Sequence, residues 1–464
     1  MVNYTINDIA VILNSSKIFD EDRKIAHLLI DSRTIYFPSS SLFFALVGTR
    51  KNGHQFIQDL YEKGVRSFVI SDFVDKNLYP DAQFIEVTDT LIALQQLAAH
   101  WRRQFHIPVI GITGSNGKTI VKEWLYQLLH EDFNIVRSPK SYNSQIGVPL
   151  SVWQMNDQHS LAIFEAGISL PNEMQRLEKV IAPTIGIFTN IGEAHSEGFL
   201  SIRQKIDEKL QLFVHSDLLI YCSDNDVIKD AVTFFINNVR SVNTISIFSW
   251  GKNPADKLQV THIEKRASQT IIQAFFNNNS TRQLIECVIP FTDEASVENA
   301  ITCLCLLLHL GVDIALIKER MSYLRNVEMR LALKQGNNNC SIINDSYSAD
   351  INSLVIALNF LQQQQQHAKR TLILSDILQS GKSSDELYRD VAQILEQKNI
   401  NQLIGIGPEI SKHASVFNKI AKTVFFPSTA AFKEQFHTIH FFDETILLKG
   451  ARIFEFEQIG HLLE

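Results

Sequence analysis

The sequence predicts an α/β protein of three units, divided near residues 88 and 326: a small α/β unit, a central unit with a mainly parallel sheet, and a last unit with a doubly wound sheet. Three observations carry this. Short apolar runs alternate with segments of helical periodicity along most of the chain. A glycine-rich turn, Gly111-Ile-Thr-Gly-Ser-Asn-Gly-Lys-Thr119, stands between one such strand and one such helix. From about residue 327 the alternation starts afresh.

In the first unit, Leu42–Val47, Ser67–Ile70 and Gln83–Val87 read as strands, and Phe56–Lys63 as a short helix ended by Gly64. Asp31-Ser32-Arg33 offers a hydroxyl and a guanidinium that suit a diphosphate. Gly48–His54 is a polar loop after a strand. Taken alone, each is more often a solvated turn. Thr90–Arg103 is an amphipathic helix leading into the central unit.

The central unit opens on the strand Ile107–Ile112. Gly114 and Gly117 let the backbone curl so that its N–H groups, with those of Thr113, Ser115 and Asn116, face a phosphate. Lys118 can reach terminal phosphates and the Thr119 hydroxyl can ligate Mg²⁺. The strict P-loop has a further glycine where Ile112 stands, so the pattern is the narrower G-x-T-G-x-N-G-K-T. Val121, Trp124, Leu125, Leu128 and Leu129 continue as a helix. Ser141–Pro149 is polar and then apolar. Leu161–Phe164 is a buried strand with Glu165 at its C-terminal end, the ligand side of a parallel sheet; a carboxylate there can ligate the metal, or be a solvated loop acid. Thr184–Phe188 ends in Thr189-Asn190, followed by Gly192–Phe199 with His195. Alone, His195 reads as a hydrogen-bonded structural histidine; with Thr119 and Glu165 on one edge, it reads as a metal ligand. Lys205 and Lys209 share one face of a helix over 202–213, a solvated basic stripe on spacing alone. Asn277–Thr281 is a hairpin or loop, and Val297–Leu308 is an amphipathic helix with Asn299 near its start.

In the last unit, Cys340–Asn344, Thr371–Leu374, Gln402–Ile406, Thr423–Phe426 and Thr445–Leu448 are strands between helices. Gln362–Gln366 reads as a solvated helix end.

Composition narrows the function. With 464 residues and a net charge of -7, the chain has no electrostatic footprint for nucleic acid. Five scattered cysteines match no zinc spacing and read as reduced thiols of a cytoplasmic protein, Cys303 and Cys305 as core residues. No signal peptide and no membrane span are expected.

The phosphate loop, Asn143–Pro149, Glu165-Ala-Gly167 and Thr189–His195 occur in the order found in the Mur ligase family, ATP-dependent ligases that build the cell-wall precursor peptide. The chain resembles that family over essentially its whole length. The resemblance implies a UDP-sugar-binding unit over 1–88, an ATP-binding unit over 89–326 and a Rossmann-like ligase unit over 327–464. Asp31-Ser-Arg33, Phe43–Gly48, Asn52-Gly-His54 and Asp345-Ser-Tyr-Ser-Ala-Asp350 resemble the members that add D-alanyl-D-alanine to the UDP-N-acetylmuramoyl tripeptide, so these are the implied substrates. It implies ATP and two Mg²⁺ ions as cofactors, with Thr119, Glu165, His195 and a carbamylated Lys209 on the metals and Lys118 on the phosphates. Asn299 would meet adenine, and Arg330 and Asp345 would close over the nucleotide. Ser32 and Arg33 would face the UDP end, and Asn143 and Tyr347 the peptide substrates. Lys449-Gly450 resembles the family's last strand end.

A monomer is expected. Some bacteria fuse such a ligase to an alanine racemase, and this chain carries no racemase half and no pyridoxal phosphate site. The sequence departs from the family at Ala295-Ser296, Ser348, Asp350 and Ser375, which bear on nucleotide clamping and dipeptide contact. Other readings are a different Mur-type ligase, a folylpolyglutamate-synthetase-like ligase, and a non-catalytic nucleotide-binding module.

Overall fold

The computed structural model describes residues 4–33, 35–48, 51–192, 198–238, 245–278, 281–327, 330–347, 349–364, 366–378 and 382–464. Its first sheet is parallel, in the order His27–Leu29, Ser41–Phe44, Ser67–Ile70, Gln83–Glu86. The two middle strands are buried at every position, because helices cover both faces of a parallel sheet. Ile57 and Leu60 cover one face. Ile6, Ile9, Leu94 and Leu97 cover the other. A two-residue antiparallel ribbon, Tyr4–Thr5 with Lys24–Ile25, is too short to leave a periodic trace in the sequence.

The helix Thr90–Arg102 starts where Asp89 accepts from the N–H groups of Leu91 and Ile92. It bridges two units, with Leu94 and Leu97 in the first core and Ala98 in the next. Trp153 tightens the junction: its Nε1 donates to Ala26 O at 3.0 Å.

The second sheet has nine strands, in the order Thr281–Ile289, Thr270–Asn278, Leu258–Lys265, Ser246–Gly251, Leu218–Cys222, Ile185–Phe188, Val109–Thr113, Leu161–Glu165, Ile135–Arg137. All pairs are parallel except those among 258–265, 270–278 and 281–289. The hairpin expected near 277–281 is present, with Asn278 opposite Thr281; its tip lies outside the described residues. The helix Glu294–His309 is buried at every position from Asn299 to Leu308, Cys303 and Cys305 included. It is therefore not the one-sided amphipathic helix expected. Its residues share one core with the phosphate-loop helix on one side and the antiparallel extension on the other.

The last sheet runs Ala332–Gln335, Ser341–Asp345, Glu444–Lys449, Lys369–Ser375, Gln402–Ile406, Lys422–Phe426. All five expected strands are present and parallel. The sixth, 332–335, is an antiparallel edge strand not expected from the sequence. The helix Ile351–Gln363 ends within the glutamine run, with Gln364 as its C-cap. Among the described residues no helix is long and apolar enough to cross a membrane.

Candidate active site

The strand Val109–Thr113 lies between Leu161–Glu165 and Ile185–Phe188, with Ile112 paired to Glu165 and Thr113 to Phe188. Three parallel strands thus end at one level, and Thr113, Glu165 and Thr189 meet on the ligand edge. Gly114 and Gly117 have φ of 144° and 84°. A Cβ at Gly114 would stand 2.0 Å from Thr189 Oγ1, and one at Gly117 2.4 Å from Asn299 Oδ1. Both positions require glycine, for conformation and for space.

The two residues after the neighbouring strand grip the loop. Ser115 N–H donates to Asn190 O at 2.8 Å, and Asn116 N–H to Asn190 Oδ1 at 2.9 Å. Thr189 Oγ1 donates to Asn116 O at 2.6 Å, and Thr113 Oγ1 to Ala166 O at 2.9 Å. Lys118 folds back, its Nζ donating to Gly114 O and Ser115 O, both at 2.9 Å. Burial pulls its ammonium down to about 8, against the opposing pull of Glu165.

Beside the loop, Thr119 Oγ1 donates to Glu165 Oε2 at 2.9 Å and lies 3.0 Å from Ser141 Oγ. Glu165 is fully buried and its Oε1 has no hydrogen-bond partner. It is not a solvated loop acid. A buried carboxylate oxygen without a partner is costly, and a divalent cation beside the Thr119 hydroxyl is the partner that an oxygen pair of this kind fits. Lys209 is 3% exposed, and its Nζ donates to Gly114 O at 3.1 Å. Burial holds its ammonium well below the usual lysine range, and Lys118 and Lys205 press the same way. Lys205 is also buried and donates to Gly192 O at 2.6 Å. The solvated basic stripe is thereby overturned: this helix turns both lysines inward onto the phosphate edge. His195 lies outside the described residues. Among the described residues no three His, Cys, Asp or Glu side chains gather around one point. The donors here are a hydroxyl, a carboxylate and an amine.

The last unit reaches over this edge. Arg330 Nη2 lies 3.5 Å from Ser141 Oγ, and its guanidinium sits 4.3 Å over the Tyr347 ring. Asp345, buried, accepts from Lys449 Nζ at 2.6 Å. A narrow cleft between the units is lined by Gly117, Asn299, Arg330 and Asp345, with Ala295 and Ser296 on its wall. A wider cavity of about 520 Å³ beside Thr119 is lined by Lys140, Ser141, Arg330, Tyr347 and Arg452.

Other expected residues sit apart. Asn143 O accepts from Gly167 N–H at 2.8 Å, and the Asn143 amide packs over Gly167. Arg33 is 84% exposed and paired to Asp31 at 2.6 Å, which holds that carboxyl at about 2. Ser32 and Arg33 line neither cavity. Asp350 caps the helix Ile351–Gln363, and Ser375 Oγ accepts from Ala451 N–H at 2.8 Å. Ser348 lies outside the described residues. Sequence reasoning passed over Asn190, Ser141 and Arg452. The signals were available: a polar pair closing a strand, a hydroxyl at the head of a polar run, and a guanidinium two residues past Lys449-Gly450.

Two family models match the chain: the Mur ligase middle domain over residues 112–307 and the Mur ligase family catalytic domain over residues 24–102. The chain is 26% identical to the UDP-N-acetylmuramoyl-tripeptide–D-alanyl-D-alanine ligase of Bacillus subtilis over 412 residues, 88% of this chain and 86% of the relative. To the Escherichia coli ligase of the same name it is 24% identical over 472 aligned positions, covering 100% and 99%. MurF from Acinetobacter baumannii superposes with a TM-score of 0.80 at 23% identity, covering 99% of this chain and 98% of that one. MurF ligase from Thermotoga maritima, solved in complex with ADP, gives 0.73 at 20% identity, covering 94% and 96%. With two models of one family matched to successive stretches, and relatives of that family aligned along nearly its whole length, the chain belongs to the Mur ligase family.

Proposed function

We propose that the chain is an ATP-dependent, ADP-forming amide ligase of the cytoplasm that joins D-alanyl-D-alanine to the UDP-N-acetylmuramoyl tripeptide in peptidoglycan precursor synthesis. The observation that carries the reading is the convergence of Lys118, Thr119, Glu165 and Lys209 at one sheet edge, faced by Arg330 from the last unit, in a chain whose full-length relatives are named for this reaction.

The chemistry is two transfers. The terminal tripeptide carboxylate attacks the γ-phosphorus of ATP, giving an acyl phosphate and ADP. The dipeptide amine then attacks the acyl carbon; the tetrahedral adduct loses phosphate and a proton, and the amide remains. Both steps turn on developing charge. Lys118 would leave the carbonyls of Gly114 and Ser115 for the phosphates, which the backbone from Thr113 to Thr119 would cradle. Thr119, Glu165, His195 and Lys209 would hold the two Mg²⁺ ions, which when bound neutralise phosphate charge. Lys209 would do so as a carbamate. Its depressed ammonium supports this, since only the neutral amine adds carbon dioxide, releasing a proton.

Asn299 would contact adenine in the narrow cleft, with Arg330 and Asp345 closing it. The wider cavity suits the dipeptide: Arg452 and Arg330 can meet its carboxylate, with the Tyr347 ring between them. Ser32, Arg33 and Asn143 would serve the UDP-peptide, reaching it when the units close. We further propose domains at 1–88, 89–326 and 327–464 and a monomeric enzyme, which mass measurement by light scattering tests; the length of the intact gene decides whether a racemase follows. The test of function is phosphate release from Mg·ATP with the UDP-tripeptide, with and without D-alanyl-D-alanine. Release that requires the dipeptide supports the ligase. ATP bound but never cleaved with any tripeptide refutes it.

A further inference from the structure

One turn into the phosphate-loop helix Lys118–Leu129, Lys122 points inward with no exposed surface. Its Nζ donates to Ser138 O at 2.7 Å and to Lys140 O, and lies 3.1 Å from Glu123 Oε1. An ammonium is retained at such depth only where it is fully bonded. Its two carbonyl partners flank Pro139 in the turn that leaves the strand Ile135–Arg137. Within that turn Lys140 has φ of 50°, a left-handed conformation that side-chain-bearing residues rarely adopt. Such a conformation persists where surrounding structure over-determines it, and Lys122 is that surrounding structure.

The turn holds three groups of the site together. Ser138 Oγ accepts from the backbone N–H of Glu165 at 3.3 Å. Ser141 Oγ stands 3.0 Å from Thr119 Oγ1 and 3.5 Å from Arg330 Nη2. The Thr119 hydroxyl proton goes to Glu165, so Ser141 donates to Thr119 and accepts from Arg330. With its proton and one lone pair committed, Thr119 Oγ1 keeps a single lone pair, aimed in a fixed direction, for one more partner.

We propose that Lys122 is a positioning residue: by locking the Ser138–Ser141 turn it makes the Ser141 hydroxyl orient Thr119 toward the metal–phosphate ligand and gives Arg330 a seat when the last unit closes. This rests on the ligase reading above. Lys122 touches no substrate and acts through Ser141.

The test compares Lys122→Met, Ser141→Ala and the double variant in the full chain by calorimetric titration with Mg·ADP and with metal-free ADP, alongside thermal melting. Outer ligand-orienting contacts are worth about 10–100-fold in metal affinity. Each single variant is expected to weaken Mg·ADP by about ten-fold, metal-free ADP much less, and the double variant no more than Lys122→Met alone. A Lys122→Met protein that melts lower yet binds Mg·ADP like the wild type overturns the proposal, as do single effects that multiply in the double variant. Should Lys122→Met fail to fold, Ser141→Ala decides alone, and unchanged Mg·ADP binding overturns the proposal. A wild-type protein that binds no Mg·ADP fails the ligase reading itself, and this assignment with it.

Discussion

Replacing Lys209 separates the carbamate from an ordinary buried lysine. The side chain is 3% exposed, its amine donates to the phosphate-loop carbonyl of Gly114, and its neighbours Lys118 and Lys205 are cations. Lys209→Ala removes the group and leaves a hole of its own shape beside the loop. Lys209→Met removes the amine and keeps most of the volume. Loss of one preorganised charge-stabilising group costs ~10²–10³ in rate, or about 3–4 kcal/mol in the barrier. Both variants are therefore expected to lose at least two decades of kcat in the phosphate-release assay. Only Lys209→Ala should recover part of it with formate or acetate, because only there can a small carboxylate enter. Stability gives an independent check. A lysine whose folded-state value is lowered binds fewer protons folded than unfolded, so stability rises with pH until the unfolded value of about 10.4 is passed. Under carbon-dioxide-free conditions Lys209→Met should show a shallower rise, the part that remains belonging to Lys118, whose ammonium burial also lowers. Turnover like the wild type in Lys209→Ala, or equal rescue of the Met variant, would refute the carbamate.

Three further outcomes follow from the same geometry. Glu165→Gln keeps the volume and can still accept from Thr119, but removes the anion; kcat should fall by ~10²-fold with little change in melting temperature, and an active variant would exclude Glu165 from the metal. Arg452→Ala should raise KM for D-alanyl-D-alanine about ten-fold, leaving KM for ATP unchanged; a shift in the ATP constant alone would remove the dipeptide from the wider cavity. His54 Nε2 accepts from the N–H groups of Ser71 and Asp72, and burial lowers its protonation. Its unfolded form binds the proton first, so wild-type stability should fall as pH drops through about 6.5 and below, and His54→Gln should flatten that fall in thermal melts across the range.

What could be read beforehand follows from how far each signal extends along the chain. The strands beside the phosphate loop and the five parallel strands of the last sheet were legible because a parallel strand buried on both faces must be a continuous apolar run. Gln402–Ile406 has the same bounds in sequence and structure, whereas Ile135–Arg137, Leu218–Cys222 and Ser246–Gly251 were not singled out. The edge strand Ala332–Gln335 mixes apolar and polar residues and pairs on one side only, so no run announces it. The phosphate loop was legible because glycine at 114 and 117 answers a local demand, a positive φ with a neighbour where Cβ would be. The burial of Lys205 and Lys209 was not. Spacing puts two residues on one helix face, and only the tertiary fold decides whether that face meets water or the sheet edge. Lys122 marks the same limit more sharply. A lysine four residues past Lys118, within an otherwise well-patterned amphipathic helix, reads as surface. It is buried because the carbonyls of Ser138 and Lys140 reach it from the turn after the strand Ile135–Arg137. Charged residues that a helix turns toward its own functional end are the positions where pattern misleads, and there an unpartnered atom such as Glu165 Oε1 carries more functional information than the motif beside it.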